Sequence, residues 1–213
     1  MKPQRVSIID YGMGNLRSLA KALERCGAEV SVIATPAEVA ASDRLVVPGQ
    51  GAFGQAMTRL REHDIADAIV RAIGAGRPFL GVCLGLQVLF EGSDEAPNVP
   101  GLGIIQGQVT LLPANAETRR PHMGWSAVEH DDPKEPGGPR ALSANASGEP
   151  FYFVHSFAAR TAPREYAIAT AKSGVEFIAA LAHNNVVATQ FHPEKSQGAG
   201  RRLLSAWLES KTS

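Results

Sequence analysis

The chain has 213 residues, 44% hydrophobic and 20% charged, with 21 basic against 21 acidic side chains. This fits one soluble domain over residues 1–213 with a sizeable core, and the balanced charge excludes the concentrated Lys and Arg that nucleic acid or an anionic membrane would need. The most apolar uncharged run, Pro78 to Phe90, has 13 residues where a membrane span needs about 18 or more, and two cysteines in unlike surroundings favour a reducing, cytoplasmic setting over a disulfide framework.

The opening residues run directly into an apolar segment ending at Asp10, too short for a signal peptide. Over the first ninety residues β-branched runs alternate with longer amphipathic ones, the pattern of parallel strands joined by crossover helices. Four strands are predicted: Val6 to Ile9, Glu29 to Ile33, Leu45 to Val47 and Phe79 to Val82, each apolar enough to be buried on both faces. Helical spacing links Leu16, Leu19, Ala20 and Leu23, then Ala56, Met57 and Leu60, then Ile65, Ile69, Val70 and Ile73. Gly27 ends the first of these helices and Asp64 is placed to cap the last.

After Phe90, glycine and proline become frequent and the apolar runs shorten, as in Ile104 to Val109 and Phe151 to Val154, so this half reads as mostly antiparallel strands. Asp131 to Arg140 has three prolines and no apolar residue, an exposed loop. Ser196 to Lys211 closes the chain as a helix with Leu203, Leu204, Trp207 and Leu208 on one stripe.

Three segments carry the signs of chemistry. In Phe79 to Gln87 a buried strand meets Gly81-Val82-Cys83-Leu84-Gly85 and then an apolar helix start, a nucleophile-elbow pattern with sulfur in place of oxygen. The glycines permit a sharp turn, the helix start favours a thiolate, and the Leu84 amide can donate to an oxyanion. Read alone, Cys83 is equally a small buried hydrophobe at a strand end. The second segment, Ala188 to Lys195, supplies a base: His192 follows the strand Val186 to Ala188, Pro193 fixes the backbone, and Glu194 can reach the second imidazole nitrogen. Cys83, His192 and Glu194 can thus fill the three roles of a triad. The third, Gly49-Gln50-Gly51-Ala52-Phe53-Gly54, matches a dinucleotide fingerprint literally, but the next strand ends in Cys83 rather than in the acidic residue that binds a ribose. A second oxyanion donor is the better use of the backbone at Gln50 and Gly51, which glycines on both sides of Gln50 leave free to reorient. No Cys/His cluster has metal-ligand spacing and no P-loop is present, so no metal, nucleotide or other cofactor is expected.

In order and spacing, Pro48-Gly49-Gln50-Gly51, Gly81 to Gly85 and His192-Pro193-Glu194 resemble the class I, triad-type glutamine amidotransferases. Asp10-Tyr11-Gly12-Met13-Gly14-Asn15-Leu16, Pro121-His122-Met123-Gly124-Trp125, Tyr152-Phe153-Val154-His155-Ser156-Phe157 and Phe191 to Ser196 narrow the resemblance to the glutaminase subunits of imidazole glycerol phosphate synthases. These motifs span nearly the whole chain. It departs from the family pattern at Ser126, where Asn is usual, at Phe157, where Tyr is common, and at Gln50, where Val is frequent; none is in the triad.

The resemblance implies a flavodoxin-like α/β fold, with a central mostly parallel sheet flanked by helices and an antiparallel addition in the C-terminal half. It implies that Cys83 attacks the side-chain amide of glutamine to form a glutamyl thioester, with His192 moving the proton and ammonia leaving. Leu84, Gly51 and Gln50 would form the oxyanion hole; Gln87, Gly51, backbone at Ser156 and Phe157, and Glu95 would hold glutamine. The implied partner is a cyclase subunit, a (β/α)8 barrel, in a heterodimer that receives the ammonia. Asn15, Trp125, Phe157 and Lys195 are the interface candidates. Read without the family, those four are a helix cap, a core residue, a core-facing strand residue and a solvated charge, and Gln87 and Glu95 are exposed polar residues. Cys26 reads as structural, and His63, His130 and His183 as surface or loop residues. Alternatives are the glutaminase of another amidotransferase, such as those making anthranilate, GMP or pyridoxal phosphate, a thiol hydrolase on the same scaffold, and a non-catalytic subunit using Cys83 as a redox sensor.

Overall fold

The computed structural model describes residues 3–114, 119–130 and 141–210. The proline-rich stretch from Asp131 to Arg140 therefore lies outside the described residues, as does Lys211 at the end of the last predicted helix.

The first half follows the alternation of its sequence. Strands β1 (Gln4–Ile9), β2 (Ala28–Ile33), β3 (Leu45–Val47) and β4 (Phe79–Val82) are joined through helices α1 (Leu16–Arg25), α2 (Pro36–Ala41), α3 (Phe53–Glu62) and α4 (Ile65–Gly74). They pair in parallel in the order β2-β1-β3-β4. β1, β3 and β4 bury their apolar residues on both faces, as expected of interior parallel strands. β2 does not: it is the sheet's edge, and Glu29, Ser31 and Val32 face solvent. Edge position, which a strand's own composition does not encode, overrides its apolar content.

Helix α1 is capped by Asn15, whose Oδ1 accepts from the Ser18 amide at 3.2 Å, and Gly27 follows its end at φ +90°. Asp64 occupies the N-cap position of α4, but in a left-handed conformation in which its side chain makes no capping bond. Helix α2 escapes periodicity analysis because it has only six residues. Its start is set instead by a capping box, with the Thr35 hydroxyl accepting from the Glu38 amide and Glu38 accepting from the Thr35 amide at 3.0 Å.

The C-terminal half extends the sheet antiparallel. β12 (Val186–Thr189) inserts parallel beside β4, and β11 (Val175–His183), β10 (Ala167–Ser173), β7 (His122–His130) and β8 (Glu149–His155) continue outward from it. A second sheet holds β5 (Phe90–Ser93), β6 (Ile105–Leu111) and β9 (Phe157–Ala159), with β5 parallel to β6. Between β4 and β5 lies α5 (Leu84–Gln87), a single turn, so the helix-dipole contribution expected at Cys83 is small. Helix α6 (Gln197–Leu208) buries Leu203, Leu204, Trp207 and Leu208 against one face. Its carboxyl end is tied to the sheet by Arg44, buried just before β3, which donates to the Ser210 carbonyl at 2.5 Å and lies 5.8 Å from the Trp207 ring centre. Among the described residues no helix is long and apolar enough to cross a membrane, and no group of three or more His, Cys, Asp or Glu could hold a metal.

Candidate active site

Three neighbouring strands supply the site. The order β3-β4-β12 sets side by side the loop after Val47, the turn at Cys83 and the exit after Thr189, at the carboxyl edge where open α/β sheets bind ligands. The Cys83 amide donates to the Thr189 carbonyl at 2.6 Å, joining the Cys83 turn and the His192 segment at the backbone.

Cys83 has φ +54° and ψ −106°, a strained turn for a residue with a side chain. The surrounding glycines are required by space. A Cβ on Gly85 would sit 2.0 Å from the Val47 carbonyl oxygen, and one on Gly49 would sit 2.2 Å from the Leu84 Cβ. The β3 loop is thus packed directly on the elbow and is held there by the buried Tyr11 hydroxyl, which donates to the Pro48 carbonyl at 2.7 Å. Burial, with Cys83 nearby, pushes the Tyr11 phenol far above its usual value, so it stays a neutral donor. Leu84 is the first residue of α5, so its N–H has no acceptor within the helix.

His192 and Glu194 are both buried, and Nδ1 of His192 lies 2.8 Å from Oε1 of Glu194. The histidine backbone is anchored to β8, its amide donating to the Tyr152 carbonyl at 2.9 Å, while the Ser196 hydroxyl donates to the His192 carbonyl at 2.7 Å. Nε2 meets no partner in good hydrogen-bond geometry among the described residues and interacts with Cys83, a contact of the loose kind usual before substrate binds. Burial alone would suppress the imidazolium, but Cys83 and Glu194 together outweigh it and raise His192 to about 9.

A cleft of about 410 Å³ opens in front of this pair. Gln50, Gly51, Leu84, Gln87, Glu95, Ser156, Phe157 and Lys195 line it together with Cys83 and His192. Glu194 sits behind the histidine, on a separate hollow shared with Arg25 and Arg201. Gln87 is buried rather than solvated: its amide nitrogen donates to the Phe157 carbonyl at 3.0 Å and to Oε1 of Gln190 at 3.1 Å. The Ser156 carbonyl accepts from the Leu112 amide at 2.9 Å. The carbonyls at 156 and 157 are therefore engaged within the protein. Glu95 is exposed yet fixed, its carboxylate accepting from the Phe53 amide at 2.7 Å where α3 lacks a cap of its own.

Among the interface candidates, Asn15 is spent on capping α1, while Trp125 lies 48% exposed on β7 beside the still more exposed Met123. Trp125 packs edge-on against Tyr152 at 6.0 Å, and Nζ of Lys195 lies 5.6 Å from the same ring. Trp125 is therefore not core, and Lys195 is not merely a solvated charge. Phe157 packs partly buried against the core. Cys26 is half-buried and bonds back to Arg201. His63 is exposed, but His130 and His183 end strands and bond the carbonyls of Asn145 and Glu165.

Cys83, His192 and Glu194 thus stand together at a strand-turn-helix elbow with a glycine loop packed against it, a thiol, an imidazole and a carboxylate in the order a triad requires. The family model for class-I glutamine amidotransferases matches residues 7–209. The imidazole glycerol phosphate synthase subunit HisH of Rhodopirellula baltica is 46% identical, covering 93% of this chain and 94% of the relative, and that of a Synechococcus species is 44% identical over 98% and 95%. The chain belongs to the class-I glutamine amidotransferases and, within them, to the HisH family. In fold it is similar to the crystal structure of a glutamine amidotransferase, with TM-score 0.73, 22% identity and coverage of 96% and 97%, and to PurLQS from Thermotoga maritima, with TM-score 0.72, 20% identity and 98% of each chain.

Two features of this amidotransferase escaped sequence reading. Gln190, wholly buried, brings its amide nitrogen to 3.6 Å from the Cys83 sulfur. A pair of histidines, His122 and His155, continues inward from β7, with His122 Nδ1 at 3.1 Å from His155 Nε2 and His155 Nδ1 at 2.9 Å from the Phe157 carbonyl. Burial, helped by the neighbouring histidines, pushes His155 down to about 3, and burial lowers His122 as well, so both are neutral near pH 7. A carbonyl only accepts, so His155 carries its proton on Nδ1 and His122 donates to Nε2; the Ser126 hydroxyl, 2.9 Å from His122 Nε2, is then the terminal donor. Ser126, a departure from the family pattern, has a defined task. Both histidines lay inside the quoted motifs, but nothing in their spacing shows that they face each other across β7 and β8.

Proposed function

We propose that this chain is the glutaminase subunit of an imidazole glycerol phosphate synthase, hydrolysing glutamine to glutamate and ammonia through Cys83, His192 and Glu194. The observation that carries the reading is a buried His192 held at 2.8 Å by Glu194 and raised by Cys83, at the mouth of a cleft floored by the elbow.

Cys83 passes its proton to His192 and its sulfur attacks the side-chain carbonyl carbon of glutamine, whose oxygen takes the carbonyl electron pair as an oxyanion and accepts hydrogen bonds from the amide of Leu84 and from the Gln50–Gly51 loop. His192 gives its proton to the amide nitrogen, the carbon–nitrogen bond breaks, and ammonia leaves a thioester. The now neutral imidazole accepts a proton from water, whose oxygen displaces the sulfur and frees glutamate. Gln87, Glu95 and the backbone of Gly51, Ser156 and Phe157 line the space for the glutamyl portion. Free ammonia is mostly protonated near neutral pH and is then no nucleophile, so the product is best passed on without meeting solvent. The cyclase subunit is the partner, a barrel-shaped receiver docking on the face that carries Met123, Trp125 and Lys195, with Phe157 and Asn15 at its edge.

The test is glutamate release from glutamine by the chain with and without the cognate cyclase and its ribonucleotide ligand. Release that requires both and disappears in Cys83→Ala supports the reading. Full turnover by the isolated chain counts against the partner's role, and equal release by Cys83→Ala counts against the nucleophile.

A further inference from the structure

Gln190 is fully buried, does not line the cleft, and has a carboxamide nitrogen 3.6 Å from the nucleophile's sulfur. Its backbone amide is fixed to the Ala179 carbonyl at 2.7 Å, which limits how far the side chain can retreat. The hydrogen-bond network decides which end of its amide meets the sulfur. The Phe157 carbonyl can only accept, so the Gln87 group 3.0 Å away is its NH2. That same NH2 lies 3.1 Å from the Gln190 amide, and two NH2 groups cannot bond each other, so Gln190 presents its oxygen there. Its own NH2 is thereby turned onto Cys83. A one-way chain of amides runs from a backbone carbonyl to the sulfur.

We propose that Gln190 is a catalytic hydrogen-bond donor to Cys83, stabilising the sulfur as an anion, with its polarity set by Phe157 through Gln87. A thiol sulfur is a weak acceptor and a thiolate a much better one. The bond therefore favours the attacking form over the resting thiol, and again favours the sulfur when water's oxygen displaces it from the thioester and it leaves with the electron pair of the broken carbon–sulfur bond. Only interactions that strengthen with developing charge accelerate a step. The inference rests on the reading of Cys83 as nucleophile.

The experiment is alkylation of the full chain by iodoacetamide from pH 5 to pH 10, followed at the Cys83 and Cys26 peptides separately by mass spectrometry, in wild type, Gln190→Met and Gln190→Glu. Methionine keeps the volume and removes the donor; glutamate keeps the shape and, as the carboxylate, only accepts. The expected result is Cys83 alkylation about tenfold slower near pH 7 in both variants, the scale of one hydrogen bond to a charged group, with the profile displaced to higher pH and the plateau rate unchanged. A merely structural loss would lower the plateau or expose Cys26. Should either variant fail to fold, side-chain NMR of Gln190 in wild type against Cys83→Ala gives the same answer, with its NH2 resonances shifting when the sulfur is removed. Reactive Cys83 with an unchanged profile in the variants, or NH2 resonances indifferent to the sulfur, overturns the role of Gln190 alone. Inert Cys83 in wild type, together with no glutamate release beside the cyclase, overturns the nucleophile reading and this inference with it.

Discussion

Replacing Cys83 by alanine probes the pair at the heart of the site. His192 stands at about 9 against an ordinary 6.5, a rise of about two and a half pH units or roughly 3 kcal/mol favouring the charged form. Because the folded value is raised, that stability is present in full below pH 6.5 and is lost as pH climbs through 9. Burial is the strongest single influence and acts downward, so the upward influences together exceed the net rise. Of these, the contact with Cys83 comes first and the hydrogen bond with Glu194 next, so both partners hold the charge on His192. Removing the sulfur should lower the His192 midpoint by on the order of one pH unit, equivalent to roughly 1 kcal/mol of the stability it confers. Imidazole NMR titration reads the midpoint, and denaturant unfolding at pH 6, 8 and 10 reads the stability. A midpoint equal in wild type and Cys83→Ala refutes the pairing and leaves Glu194 as the sole support of the charge.

Glu194→Gln keeps the shape but not the charge behind the imidazole; kcat for glutamine in the cyclase complex should fall about 10²- to 10⁴-fold with KM little changed, and a loss confined to KM contradicts a triad role. Gly85→Ala sets a methyl against the Val47 carbonyl and should abolish soluble folded protein, whereas Gly27→Ala, at φ +90° with open space around it, should cost only about 1–2 kcal/mol in urea unfolding; similar behaviour of the two defeats the packing argument. His155 has its folded value depressed to about 3, so the unfolded chain binds more protons below pH 6.5, and stability falls as pH falls from 6.5 towards 3, by about 2–3 kcal/mol at pH 4.5. His155→Gln should flatten that acid limb in pH-dependent melting, and an unchanged limb assigns it to other groups.

The sequence is most legible where one segment carries its whole signal. β1, β3, β4 and the elbow declare themselves because interior parallel strands are apolar throughout, and glycines bracket a cysteine only where backbone must approach backbone. Legibility fails where the signal is relational. β2 looks like its neighbours and is exposed because no strand among the described residues pairs beyond it. Asp64 has the right chemistry for a cap and the wrong backbone for it. Gln190, the residue after β12, and the two histidines, at the ends of β7 and β8, are polar residues that a linear reading treats as motif constituents; their meaning arises from what those strands set opposite them.

In the proposed mechanism the proton accounting closes on a single histidine. A His192 that titrates at about 9 holds a proton at pH 7, so it meets glutamine as an acid. The proton it holds is the one the departing nitrogen requires. Having given it up, the imidazole is neutral when water arrives, the state in which it can serve as base. Throughout this cycle Nδ1 stays bound to Glu194, which keeps Nε2 turned to the reacting atoms in both protonation states. The cost is that raising His192 too far would make it a poor acid for ammonia. Burial supplies the opposing pull: it is the largest influence on His192 and the one that lowers it, so the dry setting that strengthens the pair also keeps its proton transferable.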